Sequence, residues 1–141
     1  MRLTAFTDYG LRALMRLAGE PDRSFTTDEI AKEFEISRHH LTKVVQRLAN
    51  AGYVKTQRGA GGGFQLARPA RSIGLGQVVR DLEEDQPIVE CFRADGGHCV
   101  LTPRCRLRKR LADAREAFLA ELDKTSLAEC AYPTRPRSKA A

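Results

Sequence analysis

The stretch that decides the fold is residues 26–50, which read TTDEIAKEFEISRHHLTKVVQRLAN. Thr26 and Glu29 have the spacing of a capping box, which predicts a helix start. The helical pattern breaks ahead of Ser37, which can cap a second helix that runs to about Asn50. Two short helices joined by a tight turn predict a helix-turn-helix motif.

The second helix has one apolar face and one polar face. Its apolar positions are Leu41, Val44, Val45 and Leu48. A recognition helix enters the major groove, where cations reach phosphates or guanine and amides read adenine. The adjacent histidines 39 and 40 do not suit a metal, because helical His ligands need i,i+4 spacing. The candidate DNA contacts on the polar face are Arg38, His39, Thr42, Lys43, Gln46 and Arg47.

A β-hairpin is predicted directly after this motif. Residues 53–58 and 64–67 have strand character, and residues 59–63 form a glycine-rich turn. The turn lacks the Lys-Ser/Thr ending of a phosphate-binding loop, which favours the tip of a wing. Arg58 at the base of the wing is placed for a phosphate or minor-groove contact.

The rest of the chain predicts three further helices, over residues 7–18, 73–84 and 106–125. The last helix has an apolar seam that suits either the core or a second copy of the chain: Leu107, Leu111, Ala114, Phe118 and Leu122. We therefore expect a mainly α fold with a small β-wing. Its predicted parts are a winged helix-turn-helix DNA-binding domain (1–84), a cysteine cluster-binding loop (85–105), a dimerisation helix with an end segment (106–130) and a disordered basic tail (131–141).

The positive charge is unevenly distributed. The first 80 residues hold 13 Lys+Arg against 7 Asp+Glu, whereas residues 81–141 hold 11 of each, so the whole net charge of +6 lies in the first part. Such a surface attracts nucleic acid, although it also suits a merely solvated face. Neither a signal peptide nor an apolar membrane span is visible, which predicts a cytoplasmic protein.

Three cysteines lie close together in the second half of the chain: Cys91, Cys99 and Cys105, with the spacing C-x7-C-x5-C. Without a secretion signal, such thiols are expected to be metal ligands, redox groups or inert core residues rather than disulfides. Zinc sites usually have C-x2–4-C hooks, so these longer gaps favour an iron–sulfur cluster, with zinc and a thiol redox switch as alternatives. Cys130 stands apart and is expected to take no part.

Three motifs of the chain occur together in one known family. They are MRLTxFTDYxLR at residues 1–12, RGxxGGFxL at residues 58–66 and the cysteine triad. Together they resemble the NsrR group of nitric-oxide-sensing repressors, in a family of winged-helix iron–sulfur regulators that also includes IscR. The resemblance covers about residues 1–130. It implies a homodimer that binds a palindromic DNA operator, carries one [4Fe-4S] cluster per subunit and responds to nitric oxide.

The same resemblance implies a set of cluster ligands. The three cysteines would bind the cluster, and an aspartate of the partner subunit, at the position of Asp8, would complete it. In the IscR branch the fourth ligand is a histidine, and the matching residue here is Arg108, which cannot ligate. The first gap is longer than the family's usual five residues, which makes His98 a rival ligand. Without the resemblance, Asp8 would be expected only to favour the dipole of its helix.

Two other functions remain open at this point. A regulator of the same family could sense iron supply or cluster status, and a protein of another class could use the cluster to carry electrons. The sequence has no substrate-pocket signature and no second cofactor motif, so we do not expect an enzyme. A structural zinc module that binds DNA is a third alternative.

Overall fold

The computed structural model describes residues 2–60 and 62–132 of the chain. Residue 61 in the predicted wing tip and residues 133–141 of the predicted tail lie outside this part. The α-helices are α1 (Ala5–Gly19), α2 (Thr27–Glu33), α3 (Arg38–Asn50), α4 (Leu75–Leu82) and α5 (Arg106–Leu122), and the strands are β1 (Val54–Gln57) and β2 (Gly63–Leu66). Short 3-10 turns span Ala70–Ser72, Glu90–Phe92, Thr102–Arg104 and Leu127–Cys130. The predicted mainly α fold with a small wing is confirmed.

Helix α1 lies at the centre of the fold. It begins two residues earlier than predicted, because the Thr4 hydroxyl accepts a hydrogen bond from the Thr7 amide at 3.2 Å and so caps the helix. Its Gly10 lies against α3 and α4, where a Cβ atom would be 2.6 Å from Leu82 Cδ1 and 3.5 Å from Val44. This close approach packs α1 directly on the second helix of the predicted motif.

Helices α2 and α3 form the helix-turn-helix as predicted. The capping box is present in both directions, since Thr26 Oγ1 accepts from the Glu29 amide at 3.1 Å and Glu29 accepts from the Thr26 amide at 2.7 Å. Glu35 turns the chain with a φ of 54°. Ser37 then caps α3 by accepting from the His40 amide at 3.4 Å. The polar residues that begin each helix therefore set the geometry of the motif.

The wing is an antiparallel hairpin held against the helices by a third segment. β1 pairs with β2 from Val54 opposite Leu66 to Gln57 opposite Gly63. Phe25 adds an isolated bridge, because its amide donates to the Phe64 carbonyl at 2.8 Å and its carbonyl accepts from Phe64 at 2.7 Å. Only glycine fits at position 63, since a Cβ there would lie 2.8 Å from the carbonyl carbon of Phe25.

The segment after α5 folds back onto the core. α5 ends at Leu122, three residues before the predicted end, because the next residues pair with the start of α4. The Leu75 amide donates to the Thr125 carbonyl at 3.1 Å, and the Leu127 amide donates to the Ile73 carbonyl at 2.8 Å. Leu127 is fully buried in the same core as α1 and α3. The chain end thus packs with the winged helix.

α5 itself buries little within the subunit. Leu119 is its one buried residue among those described, and it packs towards α4. The predicted apolar seam remains largely outside the core, with Leu107 61% exposed. Among residues 2–60 and 62–132, no helix combines the length and the apolar character that crossing a membrane requires.

Candidate nucleic-acid interface and metal centre

The polar face of α3 is exposed as predicted. Arg38 is 71% exposed, and its Nε lies 3.1 Å from Asp28 of α2. The Thr42 hydroxyl donates to the Arg38 carbonyl at 2.9 Å, so its methyl group remains for apolar contact with a base. The exposed salt bridge between Arg38 and Asp28 is weak, so Arg38 can exchange it for a DNA contact. The further exposed residues of this face are His39, Lys43 and Gln46.

A groove separates α3 from the wing and brings predicted contacts of both elements together. Thr42 and Gln46 line one side, and Gln57 and Arg58 line the other. Arg58 is exposed. Four polar side chains on one open groove form a surface that could follow the edge of a DNA groove.

Arg47 has a different environment from the other predicted DNA contacts. Its Nη2 donates to the Asp81 carbonyl at 2.8 Å and to the Glu84 carboxylate at 2.7 Å, and its side chain is 35% exposed. These acceptors lie at the end of α4. Arg47 is 34 positions from Asp81 and 37 positions from Glu84 in the sequence, so the helical periodicity of α3 could not predict these hydrogen bonds. A DNA contact by Arg47 stays a prediction and would require these bonds to break.

Two charged contacts fix the elements behind this surface. Arg16 is 4% exposed and binds Glu20 at 2.7 Å and Glu33 at 2.8 Å, and its guanidinium stacks on Phe25. Burial alone would lower the pKa of Arg16, but the hydrogen bonds with Glu20 and Glu33 outweigh burial and raise that pKa. The hydrogen bond from Arg16 lowers the pKa of Glu20. The end of α1, α2 and Phe25, which bridges to the wing, therefore meet at one buried cation.

The wing root is also bound to α4. The Tyr53 hydroxyl donates a short hydrogen bond to the Asp81 carboxylate. Burial raises the pKa of Tyr53 well above its ordinary value, and the hydrogen bond to Asp81 raises it further. The hydroxyl consequently remains a proton donor at physiological pH.

The first gap of the cysteine loop closes on itself. Cys91 lies in the Glu90–Phe92 turn, and the Glu90 carboxylate accepts from the His98 amide at 2.7 Å. Gly97 lies on Glu90, because a Cβ there would be 2.8 Å from the Glu90 carbonyl oxygen. The side chain of Glu90, one residue before Cys91, thereby binds the backbone one residue before Cys99. The seven residues between Cys91 and Cys99 therefore form a folded-back segment and not an extended strand.

The second gap is a compact turn. The Thr102 amide donates to the Cys99 carbonyl at 3.2 Å, and the Cys105 amide donates to the Thr102 carbonyl at 3.5 Å. Cys105 then precedes the first residue of α5. The buried Thr102 hydroxyl has no hydrogen-bond partner in the described part of the chain. An orphaned buried hydroxyl costs about 1–3 kcal/mol, so a group bound beside the loop could satisfy it.

The donor set of the loop fits an iron–sulfur cluster. Cys91, Cys99 and Cys105 are partly exposed thiols that form no disulfide, and thiolates are the usual ligands of such clusters. Within residues 2–60 and 62–132, no three His, Cys, Asp or Glu side chains stand together as a ligand group. Metal binding is coupled to folding in many small metal sites, because the site rarely exists in the unfolded chain. The chain thus supplies suitable ligands on a closed loop, without bringing the three thiols together.

The two candidate fourth ligands lie on different elements. Asp8 lies in the first turn of α1 and binds Arg12 through both oxygens, at 3.2 and 2.5 Å. That pair is about half exposed, so it contributes about 0–1 kcal/mol and can be exchanged for another ligand. His98 is exposed on the loop. Cys130 is half-buried in the segment that packs on α1, outside the cysteine loop.

Comparison with known proteins shows what the chain resembles. The Rrf2 family model, described as an iron-dependent transcriptional regulator, matches residues 3–132. The HTH-type transcriptional regulator NsrR of Geobacillus kaustophilus is 48% identical over 130 residues, which cover 92% of this chain and 88% of that protein. NsrR of Bacillus subtilis is 47% identical over 128 residues, with coverages of 90% and 88%.

A solved structure agrees with these relatives. The oxidized form of Staphylococcus aureus CymR superposes with a TM-score of 0.71 and 28% identity, over 96% of this chain and 100% of that one. The family and the curated relatives are transcriptional regulators rather than enzymes, which confirms that expectation. The chain is a DNA-binding transcriptional regulator and belongs to the Rrf2 family.

Proposed function

We propose that this regulator is a nitric-oxide-responsive repressor that binds a palindromic operator as a homodimer. Its control centre is an iron–sulfur cluster, [4Fe-4S], held by Cys91, Cys99 and Cys105. One observation carries the proposal: the cysteine loop starts directly after α4, and the last turn of α4 is bonded to both the recognition helix and the wing. The identity to two NsrR proteins supports the choice of signal.

The exposed face of α3 and Arg58 of the wing would contact DNA as in other winged-helix proteins. Arg38 and Lys43 would neutralise phosphates or bind guanine, and Gln46 would read adenine. His39 would contact DNA from the same face of α3. Arg58 would reach the backbone or the minor groove from the wing. The surplus of positive charge in the first 80 residues adds an attraction that falls steeply with salt.

Assembly of two subunits is supported by α5. Its apolar seam is only partly covered within one subunit, since Leu107 and Ala114 are exposed and the other three residues are half-buried. Residues 104–110 hold five basic residues and no acidic one, whereas residues 111–123 hold four acidic residues and one basic residue. Two antiparallel copies of α5 would therefore place opposite charges beside each other while they cover the seam.

The cysteine loop would supply the switch. Cys91, Cys99 and Cys105 would hold the cluster, which would supply iron able to react with nitric oxide, a chemistry that the protein side chains lack. The three cysteines would hold the cluster as thiolates on the loop that Glu90 closes. Asp8 of the partner subunit is the proposed fourth ligand, with His98 as the alternative. A carboxylate suits such iron less well than a thiolate, which makes this ligand the readiest to leave.

Release of these ligands would free the loop and, through α4, change how the two recognition helices are held. Operator half-sites are about 34–36 Å apart, so a small change in helix separation is enough to lose register. Repression would then be relieved. We expect this to happen in the cytoplasm, where thiols stay reduced.

The test measures operator binding by the homodimer that carries the cluster. Fluorescence anisotropy is followed in the absence of oxygen while nitric oxide is added. The probe is a duplex selected by the loaded protein from randomised palindromes. We expect tight binding to be lost as nitric oxide is added, and we expect Cys130→Ser to behave like the parent. Cys99→Ser should lack both the cluster and the response. Unchanged binding after complete reaction with nitric oxide would overturn the proposal.

A second candidate function is the sensing of iron supply, because the matching family model is one of iron-dependent transcriptional regulators. A regulator that senses iron supply would lose operator binding when a chelator removes iron and would respond weakly to nitric oxide. Parallel titrations with a chelator and with nitric oxide distinguish the two signals.

A further inference from the structure

The last turn of α4 is bonded to two DNA-reading elements at once. The carbonyl of Asp81 in this turn accepts from Arg47 of the recognition helix at 2.8 Å, and the carboxylate of Glu84, two residues after the helix ends, accepts from Arg47 at 2.7 Å. The Asp81 carboxylate accepts from Tyr53 at the wing root and from Gln77 of α4 at 3.0 Å. The recognition helix and the wing are thus both attached to one turn of one helix.

The other side of α4 is attached to α5. Arg80 binds Asp123 at 2.8 Å and lies 3.9 Å from Glu116. Gly76 lies so close to α5 that a Cβ would collide with the Leu119 carbonyl oxygen. α4 therefore lies between the reading elements and the helix that follows the cysteine loop. The loop itself begins at residue 85, immediately after Glu84.

We propose that Arg47 is a positioning residue that couples the cysteine loop to the recognition helix. The proposal rests on the proposed function and deepens it, because it names the contact through which the loop acts on DNA binding. Arg47 would hold α3 to the end of α4 in the operator-bound protein. A change in the loop would move Glu84, which is the last residue before the loop. The contact with Arg47 would then break, and α3 would lose its position.

The chemistry of this contact suits a coupling role. Nη2 of the guanidinium carries two hydrogens, so it can donate to a carbonyl and a carboxylate at the same time. The Arg47 side chain is 35% exposed and Glu84 is 72% exposed. Such a pair adds little stability and is screened by salt, so it can break without unfolding the domain. It orients α3 more than it stabilises the fold.

The role differs from the phosphate contact that the sequence predicts for Arg47, and the two can be separated by experiment. We compare Arg47→Gln with Lys43→Gln, a matched control that removes one positive charge from the exposed face of the same helix. Operator affinity is measured for the loaded and the cluster-free full-length protein at several salt concentrations. The decisive quantity is the ratio of the loaded to the cluster-free affinity.

Arg47→Gln should reduce this ratio by about 2- to 30-fold. It should leave the salt dependence of binding unchanged. Lys43→Gln should lower both affinities together, with a salt slope smaller by about one and a nearly constant ratio. If Arg47→Gln instead lowers both affinities equally and reduces the slope, Arg47 is a phosphate contact and the inference is wrong.

A second pair of variants tests the contact itself. Glu84→Gln removes the acceptor charge without touching the reading surface and should reproduce the effect of Arg47→Gln on the ratio. Arg47→Lys should retain only part of the parent's ratio of cluster-loaded to cluster-free affinity. Amide hydrogen exchange of α3 in the cluster-loaded protein should become about two- to fivefold faster in Arg47→Gln and in Glu84→Gln. Exchange that stays at the parent rate would contradict an anchoring contact.

Failure of this inference can be told apart from failure of the proposed function. If the parent binds the operator equally well with and without the cluster, the proposed function fails and the coupling role fails with it. If the parent shows a clear difference and Arg47→Gln retains all of it, only the role of Arg47 is overturned.

Discussion

The contact between α4 and α5 predicts the effect of a single added methyl group. In Gly76→Ala the new Cβ would collide with the Leu119 carbonyl oxygen and lie 2.6 Å from Asp123 Cγ. The Asp123 side chain can turn away, but the carbonyl is fixed within α5. Ordinary contact needs about 3.5 Å, so the two helices must separate by about 1 Å.

The expected magnitude is a balance of two terms. Overpacking of this kind costs about 1–3 kcal/mol. Alanine in a helix gains up to about 1 kcal/mol over glycine. The steric term is larger, so we expect a net loss of about 1–2 kcal/mol in unfolding free energy and a fall of about 3–8 °C in melting temperature.

Urea and thermal unfolding followed by circular dichroism measure this effect. Gly74→Ala is the matched control two residues away, because the nearest atom to its Cβ would be Asp123 Oδ1 at 3.9 Å. That variant adds no clash, but Gly74 is the N-cap of α4, where alanine is less favourable than glycine, so we expect a loss of only about 0.5–1 kcal/mol. A Gly76→Ala protein as stable as the parent would refute the close packing of α4 on α5.

Three further perturbations test other parts of the structure. Arg16→Met removes the buried cation but leaves partly exposed carboxylates that regain water, so urea unfolding should become easier by about 2–3 kcal/mol, and a change below about 0.5 kcal/mol would contradict its anchoring role. The hydrogen bond from the Thr26 amide lowers the pKa of Glu29; its stabilisation is therefore present above about pH 4.3 and is lost as the pH falls through the lowered pKa. Glu29→Gln should thus lose less stability than the parent in urea titrations between about pH 5 and pH 2, and equal losses would count against the capping box. Arg38→Ala combined with Lys43→Ala should leave a folded dimer whose operator affinity is at least about 10-fold weaker and whose salt slope is smaller by about two, and unchanged affinity at matched salt would remove α3 from the reading surface.

Local signals predicted most of the fold. The capping box at Thr26 and Glu29 and the cap at Ser37 set the bounds of α2 and α3, because these contacts join residues three positions apart. The alternating strands around the glycine turn predicted the wing for the same reason. The exposed positions of α3 followed from helical periodicity.

Contacts between distant residues could not be predicted in this way. Arg47 had the periodicity of a DNA contact, yet its side chain is bonded to α4. The burial of Leu127 depends on a chain reversal after α5 that no turn signal announced. The buried Arg16 would be expected on the surface, and only its two glutamate partners explain its position. The cysteine spacing predicted candidate ligands, but it could not predict that Glu90 closes the loop, because that contact joins residues eight positions apart.

The most direct test of the central claim combines composition and binding on one sample. Iron, acid-labile sulfide and operator affinity are measured on the same oxygen-protected preparation of the full-length protein. We expect about four iron and about four sulfide per subunit, with tight operator binding that disappears when the cluster is removed. A preparation that holds neither iron nor sulfide and still binds the operator tightly would contradict the account.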